Sequence, residues 1–91
     1  MKRIIIFSNR FAKDYALMLK RRKNINKLKS VIELFENMAS LPLKFKDHKL
    51  IGEYNGSREL HIEPDWLLIY QIQKDKLILE RTGTHSDLFK N

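Results

Sequence analysis

The hydrophobic pattern in the first half of the 91-residue chain predicts one strand followed by two helices. Residues 2–7 form a short, apolar and β-branched run, which is typical of a strand. Ser8 then offers a helix N-cap, and Asn24 or Asn26 offers a second one. The apolar stripes at helical spacing are Phe11, Tyr15, Met18 and Leu19, and then Leu28, Val31, Ile32, Phe35, Met38 and Ala39, before Leu41-Pro42 ends the second helix. We therefore predict a helical hairpin joined by a short basic turn.

Strand-like alternation dominates the second half, after a polar connection over Lys44–Ser57. The predicted strands are Arg58–Glu63, Trp66–Gln73 and Lys76–Thr82, and a segment over residues 86–89 forms at most one helical turn. The turns between these strands are so short that neighbouring strands must be antiparallel. The order is then β-α-α-β-β-β. It predicts one α+β domain over residues 1–91, with the helical hairpin on one face of a mainly antiparallel four-stranded sheet.

Side-chain alternation also predicts which residues share a face of the sheet. Leu60 and Ile62 are expected beneath the helices, and His61 is expected on the opposite face together with Glu59. The same alternation puts Arg81 on the face of its apolar neighbours at positions 77 and 79. A guanidinium there would either pair with a carboxylate or face an anion.

Charge is distributed unevenly along this basic chain, whose net charge is +7. Residues 1–47 carry twelve Lys or Arg against four Asp or Glu, whereas residues 48–91 are nearly balanced. Such a field attracts phosphate backbones or an acidic protein partner, although a solvated helix face has the same composition. The absence of cysteine excludes disulfides and thiolate chemistry, and the apolar runs are too short to span a bilayer. We therefore expect a cytoplasmic protein that does not bind membranes.

The candidate chemistry lies in the second half, where all three histidines fall. His48, His61 and His85 titrate near neutrality, and Asp65 and Arg81 accompany them. Such a set could supply an acid, a base and a charge stabiliser for cleaving a phosphodiester without a metal. From the residues alone, three unrelated surface histidines remain the simpler explanation.

Other types of site find less support in the sequence. No pair of histidines has the spacing of a helical or zinc-finger metal site, and no glycine-rich nucleotide fingerprint is present. We therefore expect no metal and no cofactor. Trp66 is either a core residue or a platform on which a nucleobase stacks, and Phe89 is expected to pack the last segment onto the sheet.

Three segments of the second half together resemble a known family. They are Asp47-His48-x-Leu50-x-Gly52, Arg58-Glu59-x-His61-Ile62-x-Pro64-Asp65-Trp66-Leu67-Leu68-Ile69-Tyr70 and Glu80-Arg81-Thr82-Gly83-Thr84-His85-Ser86-x-Leu88-Phe89. This pattern resembles the YafQ branch of the RelE/ParE toxins of bacterial toxin–antitoxin operons. The resemblance implies a RelE-like, microbial-RNase-like fold and a ribosome-dependent mRNA endoribonuclease without a cofactor. It also implies a cognate antitoxin that neutralises the toxin.

The resemblance assigns roles to individual residues. The family's catalytic residues match His48, His61, Asp65 and His85, and the residues around that site match Trp66, Arg81 and Phe89. In the mechanism that this implies, His85 would be one acid–base partner and His48 or His61 would be the other. Asp65 would orient a histidine, and Arg81 would stabilise the phosphorane. The basic first half would contact ribosomal RNA or the antitoxin. The alternative is a ParE-like inhibitor of gyrase, or a degenerate toxin that acts only in autoregulation. The three retained histidines favour the ribonuclease.

Overall fold

The computed structural model describes residues 2–54 and 56–89, which form a five-stranded sheet with two helices on one face. The strands are β1 (Ile4–Phe7), β2 (His48–Lys49), β3 (Arg58–Glu63), β4 (Trp66–Gln73) and β5 (Lys76–Gly83). The helices are α1 (Asn9–Lys20), α2 (Ile25–Glu36) and the single turn α3 (His85–Leu88), with 3₁₀ turns at Leu43–Phe45 and Gly52–Tyr54. The strand order is β1-β5-β4-β3-β2, with β1 parallel to β5 and the other pairs antiparallel. The predicted α+β class is confirmed.

Both long helices begin at capping residues that the sequence offers. Ser8 Oγ accepts a hydrogen bond from the backbone N–H three residues later, and Asn24 accepts one from the N–H two residues later. Each helix ends two residues before a left-handed residue, which is Arg22 after α1 and Met38 after α2, with φ of 60° and 57°. The chain therefore leaves α2 before it reaches Pro42, the residue that the sequence predicts as its end.

The main core lies between the two long helices and one face of the sheet. Leu60 and Ile62 point into it from β3, as the alternation predicts. Its buried residues are Phe11, Met18, Leu28, Val31, Phe35, Leu60, Ile62, Trp66, Leu68, Tyr70, Leu77 and Leu79. Because neighbours along a strand alternate between faces, Glu59 and His61 lie on the other side of the sheet.

The sheet has five strands rather than the predicted four, because the connection over Lys44–Ser57 contains β2. This two-residue strand pairs antiparallel with the first two residues of β3. Asp47, just before it, accepts a hydrogen bond from Arg58 Nη2 at 2.7 Å and another from the Tyr70 hydroxyl. Burial and the Asp47 carboxylate raise the pKa of Tyr70, so the phenol stays a donor. Because polar side-chain contacts hold β2 in place, its sequence shows no alternation of apolar residues, and the strand was not predicted.

A bulge in β5 changes the expected position of Arg81. Ile69 of β4 pairs with Arg81, but the next residue of β4, Tyr70, pairs with Leu79, so Glu80 is an extra residue. An extra residue reverses the alternation beyond it. The prediction that Arg81 shares a face with its apolar neighbours in β5 is therefore wrong, because Arg81 lies on the face of Ile69.

A second, smaller cluster covers part of the face opposite the helices. Leu67 and Ile69 of β4 are buried there with Leu88 of α3, and the partly buried Leu50, Tyr54 and Phe89 pack against them. His61 and Glu59 are the β3 partners of Leu67 and Ile69, so they share this face. Among the helices that the structure describes, none is long and apolar enough to cross a membrane.

Candidate active site

The three histidines meet at one end of the sheet, although 37 positions separate the first from the last. His48 of β2 lies beside β3, whose His61 is on the same face, and His85 opens α3. The ring centroids of His48 and His61 are 6.1 Å apart, and those of His61 and His85 are 5.9 Å apart. Sheet pairing therefore turns three distant positions into one row of imidazoles.

Glu59 lies between two of these rings and was not singled out from the sequence. Its Oε2 lies 2.9 Å from His48 Nε2 and 3.8 Å from His61 Nε2. Its side chain is only 7% exposed, and Oε1 has no hydrogen-bond partner among the described residues. The alternation that put Glu59 on the face of His61 was the available signal. A buried carboxylate shared by two imidazoles holds both rings in place.

The backbone on the other side of His48 also restrains its ring. His48 Nδ1 lies 2.8 Å from the carbonyl oxygen of Lys46, a residue in the left-handed conformation with φ of 51°. Both ring nitrogens of His48 therefore face acceptors. These two contacts fix the orientation of the ring.

Asp65 and His85 form the best-defined pair of the site. One carboxylate oxygen of Asp65 lies 2.5 Å from His85 Nδ1 and accepts the backbone N–H of His85 at 2.9 Å. The hydrogen bond from the backbone of His85, and next the one from its side chain, hold the pKa of Asp65 below its usual value. The contact fixes Nδ1 as the orienting nitrogen, and the half-exposed ring keeps Nε2 for proton transfer.

A second aspartate fixes the helical turn that carries His85. Asp87 and Thr84 form a capping box, and Arg21 of α1 contacts Asp87 at 2.6 Å. The hydrogen bond from Arg21 lowers the pKa of Asp87 to about 2. The stabilisation is therefore complete above the usual aspartate pKa and is lost as pH falls through about 2. A Cβ added at Gly83 would lie 2.9 Å from the Asp87 side chain, so close packing explains this glycine.

Arg81 is engaged by an acidic residue from the first half of the chain. Asp14 of α1 accepts from Arg81 Nε at 2.6 Å and from Nη2 at 3.0 Å, and both side chains are nearly buried. The hydrogen bond to Asp14 raises the pKa of Arg81. Asp14 also accepts the backbone N–H of Thr82 at 3.1 Å, beyond the end of β1. Arg81 Nη1 lies 3.4 Å from the Tyr54 hydroxyl, on the histidine face.

The two aromatic candidates have different surroundings. Trp66 is fully buried in the main core, where its Nε1 donates to Thr82 Oγ1 at 2.9 Å. A nucleobase cannot stack on a ring without exposed surface, so its position is that of a core residue. Phe89 is half-buried and meets Tyr54 edge to face, with ring centroids 5.7 Å apart. It packs the last described segment onto the sheet, as the sequence predicts.

Three of these side chains could also hold a metal ion, against the expectation from spacing. His48, Glu59 and His61 offer ligand atoms that all lie within 4.8 Å of one another. The sequence spacing did not show this because two of them meet across a pair of strands. Imidazole and carboxylate ligands together suit Zn²⁺ or Cu²⁺.

Comparisons with known proteins agree with the fold and show the family. The family model described as "Bacterial toxin of type II toxin-antitoxin system, YafQ" matches residues 3–90. The mRNA interferase toxin YafQ of Escherichia coli K12 is 46% identical over 90 residues, which cover 98% of each chain. This degree of similarity extends over both the helical half and the histidine half.

Solved structures give the same result. The E. coli DinJ–YafQ toxin–antitoxin complex matches with a TM-score of 0.88 and 46% identity, over 98% of this chain and 99% of that one. A metal-bound toxin from Helicobacter pylori matches with a TM-score of 0.88 and 38% identity, over 98% and 100% of the two chains. The chain therefore belongs to the YafQ family of bacterial type II toxin–antitoxin toxins.

Proposed function

We propose that this toxin is an mRNA interferase that cleaves messages on the ribosome by histidine acid–base catalysis. The observation that carries the proposal is the row of three imidazoles about 6 Å apart, with Asp65 bonded to the last of them. The name of the E. coli relative, an mRNA interferase, supports the same activity. The basic first half would bind ribosomal RNA or the acidic segments of a cognate antitoxin.

The proposed reaction needs no metal. The ribose 2′-oxygen loses its proton to a base and bonds to the adjacent phosphorus, while the bond from phosphorus to the 5′-oxygen breaks. An acid protonates that departing oxygen. The products are a 2′,3′-cyclic phosphate and a 5′-hydroxyl, and a cation stabilises the phosphorane between them.

The geometry favours particular residues for each role. His85, oriented through Nδ1 by Asp65, is one acid–base partner. His61 is the favoured second partner, since its contacts, 3.4 Å to a carbonyl and 3.8 Å to Glu59, are longer than those of His48. His48, whose ring is held at both nitrogens, would then have a supporting role beside Glu59. Arg81 would stabilise the phosphorane through Nη1, because Asp14 contacts Nε and Nη2 of the guanidinium but not Nη1.

Primer extension on a message translated in a purified system tests the activity. We expect discrete, in-frame cuts whose fragments end in 2′,3′-cyclic phosphate, and no cuts in the same naked message. Absence of cuts by a protein verified as folded would contradict the proposal. A parallel gyrase assay would then test the ParE-like alternative directly.

Metal ions should inhibit this reaction rather than support it. His61, one of the two histidines proposed to move a proton, could hold an ion together with His48 and Glu59. The H. pylori toxin of similar fold is metal-bound, which supports testing metals here. We expect toxin that has been stripped of metal with EDTA, and then freed of the chelator before it meets the ribosomes, to cleave at an unchanged rate. Micromolar Zn²⁺ or Cu²⁺ should lower the rate, because a coordinated imidazole cannot accept a proton.

The Glu59→Gln variant is the matched control for metal inhibition. It keeps the size of the side chain but removes the charge, so a higher metal concentration should be needed to halve its residual rate. Loss of cleavage by wild-type toxin that was stripped of metal before the assay, restored when metal is added back to the toxin, would overturn the metal-free mechanism.

A further inference from the structure

A cavity of about 500 Å³ opens beside His61, which is one of the residues that line it. It lies between α2, the 3₁₀ turn Leu43–Phe45 and the turn that joins β3 to β4. The short β2 explains its existence, because β2 pairs only with residues 58 and 59. In the described part of the chain, the outer edge of β3 beyond Glu59 therefore has no strand beside it.

Positive charge surrounds the mouth of this cavity. Lys27, Lys44 and Lys46 all line it and are all exposed. Glu63 offsets the charge of Lys27, with Nζ 2.8 Å from Oε2. Lys44 and Lys46 form no ion pair within residues 2–54 and 56–89. A concave surface with two such ammonium groups attracts the phosphates of a nucleic acid.

Apolar groups form the rest of the wall. Phe45 is half-buried, and Ile62 and Pro64 stand near it in the lining. The ring of Phe45 also lies 5.3 Å from Lys44 Nζ. An aromatic ring next to cations is the usual combination in single-strand binding, where bases stack and lysines hold the backbone. The volume falls within the range of ordinary small-ligand sites, so one nucleotide fits.

The cavity is continuous with the histidine row. His61 belongs to both, since its ring stands between the other two imidazoles and also lines the cavity. Lys46 belongs to both as well, because its carbonyl contacts His48 while its side chain lines the cavity. An RNA strand with its scissile phosphate at the histidines would thus place a neighbouring nucleotide here.

We propose that this cavity binds the nucleotide of the message adjacent to the scissile phosphate, with Lys44 and Lys46 on its phosphates and its base against Phe45. The inference rests on the proposed ribonuclease function, and it adds a site that selects among nucleotides. Because stacking tolerates every base, the cavity would set graded preferences rather than an absolute requirement.

Titration of the whole protein with a short single-stranded RNA tests the site without requiring cleavage. The RNA carries 2′-deoxyribose at every nucleotide whose 2′-hydroxyl could start the attack, so it cannot be cut. We expect the backbone NMR signals of Ser30, Phe45 and Ile62 to shift on binding. Phe45→Leu keeps an apolar side chain for packing but removes the ring, and should weaken Kd by at least about five-fold.

The lysines have their own variants and a matched control. Lys44→Ala and Lys46→Asn should each reduce the slope of log Kd against log salt by about 0.7, the value for one phosphate contact in a single strand. Asparagine is chosen at position 46 because it tolerates the left-handed backbone there. Lys76→Ala, at the opposite end of β5 from the histidines, should bind RNA as the wild type does.

The experiments distinguish failure of the proposed subsite from failure of the proposed ribonuclease activity. RNA binding without shifts at the cavity, unchanged Kd in the variants, or no RNA binding at all would overturn the subsite. Binding at the cavity by a protein that cuts no message would support the subsite and contradict the proposed activity. Thermal unfolding of each variant checks that the fold is intact.

Discussion

Replacing His85 by glutamine should lower the cleavage rate by about 10²- to 10⁴-fold, the usual contribution of one positioned acid or base. The ring is half-exposed and its bonds to Asp65 lie at the surface, so the midpoint of thermal unfolding should change little. Single-turnover cleavage of a translated message, measured beside a thermal melt, separates the two effects. Parallel loss of rate and of folding would indicate a structural role instead.

Controls for His85 come from its immediate neighbours. Asp65→Asn keeps the size of the side chain but loses the charge that orients Nδ1, so we expect a smaller loss than for His85→Gln. Ser86→Ala, on the same helical turn, should cleave as the wild type does. The wild-type rate should follow a bell-shaped pH profile, as an acid and a base acting together give. The lowered pKa of Asp65 keeps its carboxylate ionised near neutral pH, so protonation of Asp65 does not account for the acid limb.

Replacing Trp66 by alanine should destabilise the fold by about 3–5 kcal/mol, as is typical for removing a large aromatic side chain from a packed core. The indole is fully buried, and it donates a hydrogen bond to Thr82. Chemical denaturation followed by circular dichroism measures the loss. A stable Trp66→Ala variant that nevertheless fails to bind RNA would show that the indole contacts RNA, contrary to its buried position.

Trp66→Phe provides the matched comparison. It retains an aromatic ring in the core but loses the indole N–H, whose hydrogen bond contributes about 1 kcal/mol. Thr82 still donates its hydroxyl to a backbone carbonyl, at 2.7 Å, so the variant leaves that group satisfied. We expect an intermediate stability and wild-type cleavage at temperatures where the variant is folded.

Much of the fold was predictable because its signals are local. Ser8 and Asn24 cap their helices as expected, and Leu60 and Ile62 take the predicted face of the sheet. The strand β2 was not predictable from periodicity. Its position depends on Asp47 meeting side chains from β3 and β4, and such contacts exist only after the sheet has formed.

The sequence indicated which residues lie near one another in the site better than it indicated which of them contact each other. The motif identified the three histidines and Asp65, but the sequence did not say which histidine Asp65 would orient. Glu59 was missed because alternation puts it on the face of His61 but does not distinguish a buried, shared carboxylate from an ordinary surface acid. Asp14 lies 67 positions from Arg81, and the bulge at Glu80 reversed the face on which Arg81 was expected.

The parallel pairing of β1 with β5 has a consequence for the rate of folding. Residues 4–7 can find their strand partner only in residues 76–79, so the sheet closes through contacts between the two ends of its sequence. Such distant contacts slow the folding of a small domain relative to a helical bundle. Because β1 leads directly into α1, the slow step that completes the sheet also brings Asp14 of α1 to Arg81. The guanidinium of the proposed site would therefore be held in place only after β1 has joined β5.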